Sequence, residues 1–233
     1  MTMSRSESSP VPTESRHSLD EEKLSETTPQ ENVEQTGWDG PQDPKNPQNW
    51  PLSKRYGHIA LVSILTLLMN LSSTIYAPGA KLLRQDFDIH STTVSTLTTS
   101  IYMLGLVGGP IIVAPMSEMF GRLPVYHVCN AVFLAFTIAC AKSTSTGMFL
   151  AFRLLAGAGG SAPLTIGGGT IADLMPKEKR GLAMGMFALG PTLGPSLGPI
   201  AGGFISQSIG WRWTFWVLAI AVSTDYTSTL CPI

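Results

Sequence analysis

Long stretches without charged side chains alternate with short charged clusters over most of this chain. Five such stretches, 56–80, 91–117, 123–141, 143–172 and 181–211, are 19 to 31 residues long and contain at most one Asp, Glu, Lys or Arg. A helix needs about 20 residues to cross the hydrocarbon core of a bilayer. Because soluble cores do not contain five long uncharged runs in series, the pattern predicts five membrane spans.

A sixth uncharged stretch, residues 213–224, has only 12 residues. It begins as WTFWVLAIAV and then reaches Asp225 and the polar residues TDYTST. As a helix, it would be about 18 Å long at 1.5 Å per residue. We therefore expect an all-α membrane bundle over 51–224, with five complete spans and a partial sixth, and an atypical C-terminal end at 225–233.

The first fifty residues differ from the rest in composition and charge. They are rich in Ser, Thr, Glu, Gln and Pro and carry a net charge of −6, whereas the remaining chain carries +5. Such a segment buries too little apolar surface to offset its chain entropy, so we expect 1–50 to be a disordered tail. No apolar stretch typical of a secretory signal peptide follows the N-terminus.

The composition excludes several classes of protein. Charged residues make up 13% of the chain, about half the share in soluble proteins. An ordinary soluble enzyme and a nucleic-acid binder with a basic face are therefore excluded. The three cysteines and four scattered histidines show no spacing typical of a metal site, and we expect neither a metal nor a cofactor.

The basic residues between the spans predict the orientation of the bundle. With the tail inside, six Lys and Arg residues lie on the cytoplasmic side and four lie outside. The loop 176–180, PKEKR, contributes most to this difference. We expect a multi-pass protein of the plasma membrane, with the N-terminus and loop 176–180 in the cytoplasm and loop 77–90 outside.

Three segments carry candidate functional residues. The first is PMSEMFGR, in the short turn after the second span. Glu118 and Arg122 are four residues apart and can pair or bridge neighbouring helix ends, and Gly121 permits a sharp turn. A merely solvated charged loop is the alternative.

The second segment, FRLLAGAGGS, places Arg153 within an otherwise uncharged run. Burying an arginine in a membrane is costly, and such residues usually face a polar cavity or a partner. A snorkelling arginine near an interface is the alternative. The glycines after Arg153 indicate a close approach of a neighbouring helix.

The third segment, GPTLGPSLGPIAGG, repeats glycine every four residues. Its glycines line one side of a helix, and its prolines each remove a backbone donor, so we expect a bent helix with a close helix contact. The residues concerned are Gly190, Pro191, Gly194, Pro195, Gly198, Pro199, Gly202 and Gly203.

Together these segments resemble the major facilitator superfamily, in particular the fungal branch of the twelve-span drug:proton antiporters. WDGPQDPKNPQNWP before the first span and GWRWTFW at 210–216 resemble signatures of that branch. The turn departs from the family pattern at Ala114, Met119 and Leu123, so we expect a thinner network of gating charges.

The resemblance implies efflux of small organic compounds, such as drugs, toxins or secondary metabolites, driven by proton entry. It assigns proton coupling to Arg153, a gating turn to Glu118, Gly121 and Arg122, and a path-lining helix to the glycine-proline repeat. Asn70 and Thr74 are candidates for the cavity wall. The resemblance also implies partners: a small-molecule substrate, protons, the lipid bilayer and a missing C-terminal half. The alternative is a truncated, non-transporting membrane fragment.

Overall fold

The computed structural model describes the backbone of residues 47–230, and the side chains of this range except those of 48 and 226–230. The predicted tail at 1–50 therefore lies outside the described residues, apart from its last four. The regular elements of the described range are all helices, and they include 3-10 turns at Pro47–Asn49 and Ala77–Gly79. The α-helices are α1 (Leu52–Thr74), α2 (Ala80–Asp86), α3 (Thr92–Phe120), α4 (Arg122–Ala141), α5 (Thr146–Gly160), α6 (Ala162–Leu174), α7 (Lys177–Ser208) and α8 (Arg212–Leu230).

Four helical segments are long and apolar enough to cross a membrane: α1 with α2, α3, α4, and α5 with α6. Helix α7, with 32 residues, is longer than any of the other helices described. It does not reach the same mean hydropathy, because glycine, proline and serine replace aliphatic residues along it. The fifth predicted span is thus a membrane-length helix of a more polar composition.

The fourth predicted span is two helices rather than one. Helix α5 ends at Gly160 and α6 begins at Ala162, so the break falls at Ser161. Pro163 lies in the first turn of α6, where its missing N–H is tolerated. Two glycines precede the break and weaken the helix there, so the local sequence accounts for the interruption.

Two further segments differ from the sequence-based expectation. The predicted outer loop 77–90 contains a 3-10 turn and the seven-residue helix α2. Helix α8 begins at Arg212 and continues past Asp225 to Leu230, so its backbone stays helical beyond the uncharged stretch.

Two tight helix pairs organise the bundle, α1 along α7 and α3 along α5, while α4 packs against both α5 and α8. At the α3–α5 crossing, a Cβ on Gly105 would overlap the carbonyl oxygen of Leu154, and one on Gly157 would overlap the carbonyl oxygen of Tyr102. The predicted close approach after Arg153 is therefore confirmed. We call the end that carries α2 the α2 end, and the end that carries the α3–α4 turn the turn end.

Candidate functional site

Arg153 lies inside the bundle, on α5, with only 1% of its surface exposed. Its Nη1 donates a hydrogen bond of 3.0 Å to the carbonyl oxygen of Ser72. Ser72 belongs to the last turn of α1, where helix carbonyls lack intrahelical partners and carry partial negative charge. The guanidinium therefore caps the end of α1 from a neighbouring helix and is buried among the helices of the bundle.

Three aromatic rings surround the same guanidinium. Its Cζ lies 4.8 Å from the ring centroid of Tyr102, 5.4 Å from that of Tyr76 and 5.5 Å from that of Phe215. Tyr102 also donates from its hydroxyl to the carbonyl oxygen of Met69, at 2.8 Å. Cation–π contacts of this kind stabilise a desolvated cation. Arg153 thus joins the end of α1 to α3, α5 and α8.

Two nitrogens of Arg153 have no hydrogen-bond partner within the described range. Nε and Nη2 are buried and have no hydrogen-bond partner within the described range, and Arg153 forms no ion pair with any carboxylate there. Buried donors usually have partners, and exceptions are concentrated where a group acts on something else. The arrangement holds a fixed positive charge and two unpaired donor nitrogens inside the bundle, which an anion, a carboxyl group or water could reach only after the helices move.

The second candidate group is the turn between α3 and α4. Gly121 has φ 84° and ψ 162°, a conformation that glycine adopts readily, so the predicted sharp turn is confirmed. Arg122 does not pair with Glu118. Its Nε lies 2.9 Å from Oδ2 of Asp173 at the end of α6, and its Nη1 donates to the carbonyl oxygen of Ile166 at 3.3 Å. The turn is therefore tied to α6.

The glycines of the repeat in α7 face α1. A Cβ on Gly190 would lie 2.9 Å from the carbonyl oxygen of Ser63, and one on Gly194 would lie 2.9 Å from the backbone nitrogen of Leu71. Gly198 and Gly202 meet the end of α1 in the same way, whereas Gly203 faces open space. The predicted close helix contact is therefore confirmed for the glycines that recur every four residues, and the helix they contact is α1. Pro191, Pro195 and Pro199 lie within a helix that is continuous from Lys177 to Ser208.

Asn70 and Thr74 lie at this same α1–α7 contact. Asn70 is 8% exposed, and its Nδ2 donates to the carbonyl oxygen of Thr66 within its own helix. Thr74 Oγ1 donates to the carbonyl oxygen of Pro195 at 3.4 Å. A role for these residues in lining a cavity stays a prediction.

Sequence reasoning missed Asp173 and the three rings around Arg153. Asp173 is the carboxylate that follows the fourth uncharged stretch. Its place at the end of a predicted span was the signal that could have indicated it as a partner of Arg122. Tyr76, Tyr102 and Phe215 have no spacing signal, because they come from three separate parts of the chain. The described structure brings Arg153 together with the end of α1, but keeps it apart from the turn at Arg122.

Residues 62–223 match the family description "Major Facilitator Superfamily". The chain belongs to the Major Facilitator Superfamily. It is 54% identical over 183 residues to "Efflux pump radE" of Floropilus chiversii, covering 78% of this chain and 34% of that protein. It is 56% identical over 189 residues to "MFS transporter prlG" of a fungal species (strain NRRL 50135), covering 81% of this chain and 40% of that protein. "Trichosetin biosynthesis cluster MFS transporter" of Gibberella fujikuroi is 53% identical over 192 residues, and the match covers 82% of this chain and 40% of that protein.

Solved structures support the same fold. A D-xylose-proton symporter superimposes with a TM-score of 0.66 at 16% identity, covering 76% of this chain and 48% of that one. A bacterial homologue of the human lysosomal transporter Spinster, inward-facing and unoccupied, superimposes with a TM-score of 0.62 at 18% identity, covering 78% and 43%. The chain is thus a multi-pass membrane protein of this superfamily, and it spans 34% to 40% of the length of the three curated relatives named above.

Proposed function

We propose that these helices form the N-terminal half of a transporter that exports small organic compounds. The observation that carries this proposal is the buried Arg153, whose two free donors lie between helices from three parts of the chain. Ionisable residues inside membrane bundles are costly and mark substrate or proton pathways. The name of radE as an efflux pump, and of another relative as the transporter of a biosynthetic cluster, supports export of drugs, toxins or secondary metabolites.

Proton entry drives the export in this proposal. A fixed guanidinium favours the ionised form of any carboxyl group that approaches it. A carboxyl group that reaches Arg153 in one conformation would release its proton there and take one up after moving away. No described carboxylate forms an ion pair with Arg153, so we assign this group to the substrate or to a second half of the transporter.

The remaining candidate residues act in the conformational change. Glu118, Gly121 and Arg122 form the gating turn, and the pair between Arg122 and Asp173 is broken and remade as the bundle moves. The glycine-proline face of α7 lets that helix shift against α1, and the shift brings Asn70 and Thr74 to the pathway. In transporters, membrane helices that contain glycine and proline in this way often line the path near the midplane.

We also propose that the N-terminus and loop 176–180 face the cytoplasm at the plasma membrane. The excess of basic residues on that side supports this orientation. A cysteine replacing Glu178 should then react with a membrane-impermeant thiol reagent only after the cells are permeabilised, while one replacing Asp88 should react in intact cells. Labelling of the first variant from outside would contradict the proposed orientation.

A chimera tests the transport itself. In it, this chain replaces the matching part of prlG, to which it is 56% identical. Expressed in a pump-deficient yeast, the chimera should export rhodamine 6G when energised. Arg153→Ala should abolish the export while the protein still reaches the membrane, and Arg153→Lys should restore only part of it, since the guanidinium fork is lost. Lys81→Ala, at an exposed basic residue of α2, is the matched control. Normal export by Arg153→Ala would contradict the proposed coupling.

A further inference from the structure

A polar contact joins three segments at the α2 end of the bundle. Oδ2 of Asp86, the last residue of α2, accepts a hydrogen bond of 2.8 Å from Nε1 of Trp211 and one of 3.1 Å from Nη1 of Arg212. Nη2 of the same arginine donates to the carbonyl oxygen of Ser143, in the turn between α4 and α5, at 3.2 Å. These four residues, which we call the latch, therefore connect α2, the start of α8 and the α4–α5 turn.

The sequence before α8 accounts for this arrangement. Gly210 has φ 102°, a conformation that glycine adopts readily, and it turns the chain from the end of α7 into α8. Trp211 then lies against Gly79, where an added Cβ would be 3.0 Å from Cβ of the tryptophan. The guanidinium of Arg212 lies over the indole ring, 4.5 Å from its centroid. Two adjacent residues thus present their donors to one carboxylate.

The latch lies at the surface, and buried aromatic rings lie beneath it. The side chains of Asp86 and Arg212 are 47% and 43% exposed, whereas Trp211 is 3% exposed. The ring centroid of Trp211 lies 5.8 Å from that of Phe149 and 6.1 Å from that of Phe215, both in edge contacts. Such contacts stabilise a buried aromatic cluster beyond the burial of its surface. Trp211 therefore has its polar atom in the latch and its ring in the core.

The same rings lead to Arg153. The ring centroid of Tyr76 lies 5.3 Å from that of Phe149 and 5.9 Å from that of Phe215. Tyr76 and Phe215 are two of the three rings around the Arg153 guanidinium. Ring contacts therefore run without a break from the latch to a guanidinium with two nitrogens that lack a hydrogen-bond partner among the described residues. Separation of these rings would let water reach those nitrogens from the α2 end.

The contacts of Asp86 hold the start of α8 against α2. Hydrogen bonds to an ionised carboxylate are stronger than those between neutral groups. Asp86 also supplies the acceptor for Nε1 of Trp211, and a buried indole N–H without an acceptor is unfavourable. Loss of the carboxylate would therefore release Trp211 and Arg212 together, and the rings that pack on Trp211 would be free to separate.

We propose that Asp86 is a positioning residue that keeps the ring cluster closed over Arg153, and that breaking its contacts admits water to Arg153 from the α2 end. A role of this opening in export rests on the proposed function, whereas the closure itself does not. The latch and the rings all belong to the described part of the chain, so the closure can be tested without transport.

Two native cysteines of α4 report where the bundle opens. Cys140 is fully buried in the same cluster as the rings beneath the latch. Cys129 is 8% exposed and belongs to another cluster, about 16 Å away along the helix. The whole chain in lipid nanodiscs is treated with iodoacetamide, and mass spectrometry of its peptides follows the alkylation of each thiol. Opening at the α2 end should expose Cys140 and leave Cys129 protected, since local openings expose only the groups that they uncover.

Asp86→Asn should raise the alkylation rate of Cys140 roughly three- to tenfold, because it removes the charge from both hydrogen bonds. Asp86→Glu should keep most of the protection, since it retains the carboxylate. Arg212→Gln should also raise the rate, and its combination with Asp86→Asn should raise it by less than the product of the two single effects, because both act on one contact. Asp88→Asn is the matched control. This exposed carboxylate contacts only the exposed His90 among the described ion pairs, so its loss should leave both cysteines unchanged.

Three results would overturn the proposal. One is an unchanged rate at Cys140 in Asp86→Asn, which would show that the rings stay closed without the latch. Another is an equal rise at Cys129, which would indicate general loosening of the bundle. The third is an equal rise at Cys140 in Asp88→Asn, which would assign the effect to surface charge. Circular dichroism checks that the variants fold, and if Asp86→Asn does not, the same comparisons with Arg212→Gln decide the question.

Discussion

Arg153 brings a positive charge into the bundle without a carboxylate partner in the described range, so other groups must offset its loss of hydration. The carbonyl oxygen of Ser72 and three aromatic rings do so in part. Each ring contributes on the order of 0.5–2 kcal/mol. Two of the Arg153 nitrogens have no hydrogen-bond partner among the described residues, which is unfavourable. The buried charge therefore contributes little to the stability of the fold. Its presence is better explained by the proposed function.

Replacing Arg153 by methionine should keep the fold and remove the function. Methionine fills much of the same space without a buried charge, and replacing buried charges by apolar residues is often neutral or stabilising by up to about 4 kcal/mol. Arg153→Ala should instead lower the free energy of unfolding by about 2–5 kcal/mol, since it leaves a void among the rings. Denaturant unfolding in detergent measures both. A larger loss in the methionine variant than in the alanine variant would show that the charge itself holds the helices together.

The pair between Arg122 and Asp173 predicts which acid at the turn end matters. Both side chains are partly exposed, at 39% and 53%, so Asp173→Asn should lower the free energy of unfolding by less than about 1 kcal/mol. It should nevertheless loosen the start of α4. Gly169→Ala should act alike, since its Cβ would overlap the Arg122 guanidinium and displace it.

Amide hydrogen exchange at the second turn of α4, where the N–H groups donate within the helix, measures this loosening. We expect faster exchange in Asp173→Asn and Gly169→Ala, and no change in Glu118→Gln, the carboxylate that is close in sequence but unpaired with Arg122 in the structure. Faster exchange in Glu118→Gln alone would contradict the observed pairing.

At the scale of elements, the contact between α1 and α7 depends on glycine at particular positions. A Cβ on Gly194 would lie 2.8 Å from Cβ of Asn70 and 2.9 Å from the backbone nitrogen of Leu71, so the helices would have to separate. Gly194→Ala should therefore lower the free energy of unfolding by about 1–3 kcal/mol. Gly203→Ala, in the same helix but facing open space, should leave it unchanged or raise it by up to about 1 kcal/mol. Thermal unfolding measures both effects. Equal effects of the two substitutions would show that helix propensity, and not packing against α1, determines the change in stability.

The sequence predicted these elements where one physical signal dominates. Uncharged runs locate the spans, because the bilayer excludes charge, and the four-residue glycine repeat locates the face of α7 that meets α1. The break at Ser161 escaped prediction, since a run without charges does not reveal where its backbone hydrogen bonds stop. The partner of Arg122 escaped as well. Asp173 is 51 residues away in sequence, and only the packing of α4 on α6 brings the two together.

The largest-scale question is whether the bundle can act without a second half. Alternating access works by rocking one helical half against another around a site between them. This chain matches 34% of the length of radE and 40% of that of prlG, so the relatives contain more than this bundle. Several large apolar side chains also face outwards, including Val107 at 72%, Ile111 at 77% and Phe204 at 72% exposure. Some of these are expected to meet lipid and others an opposing half.

The chain of residues 1–233 expressed by itself should therefore not export rhodamine 6G from a pump-deficient yeast, while the chimera with the rest of prlG should. A pair of identical chains would need a surface complementary to itself, and outward apolar side chains do not by themselves provide one. Dye accumulation with and without glucose measures the export, and surface labelling confirms equal amounts of both proteins in the membrane. Energy-dependent export by the chain alone, lost in Arg153→Ala, would show that two copies suffice and would make the second half dispensable.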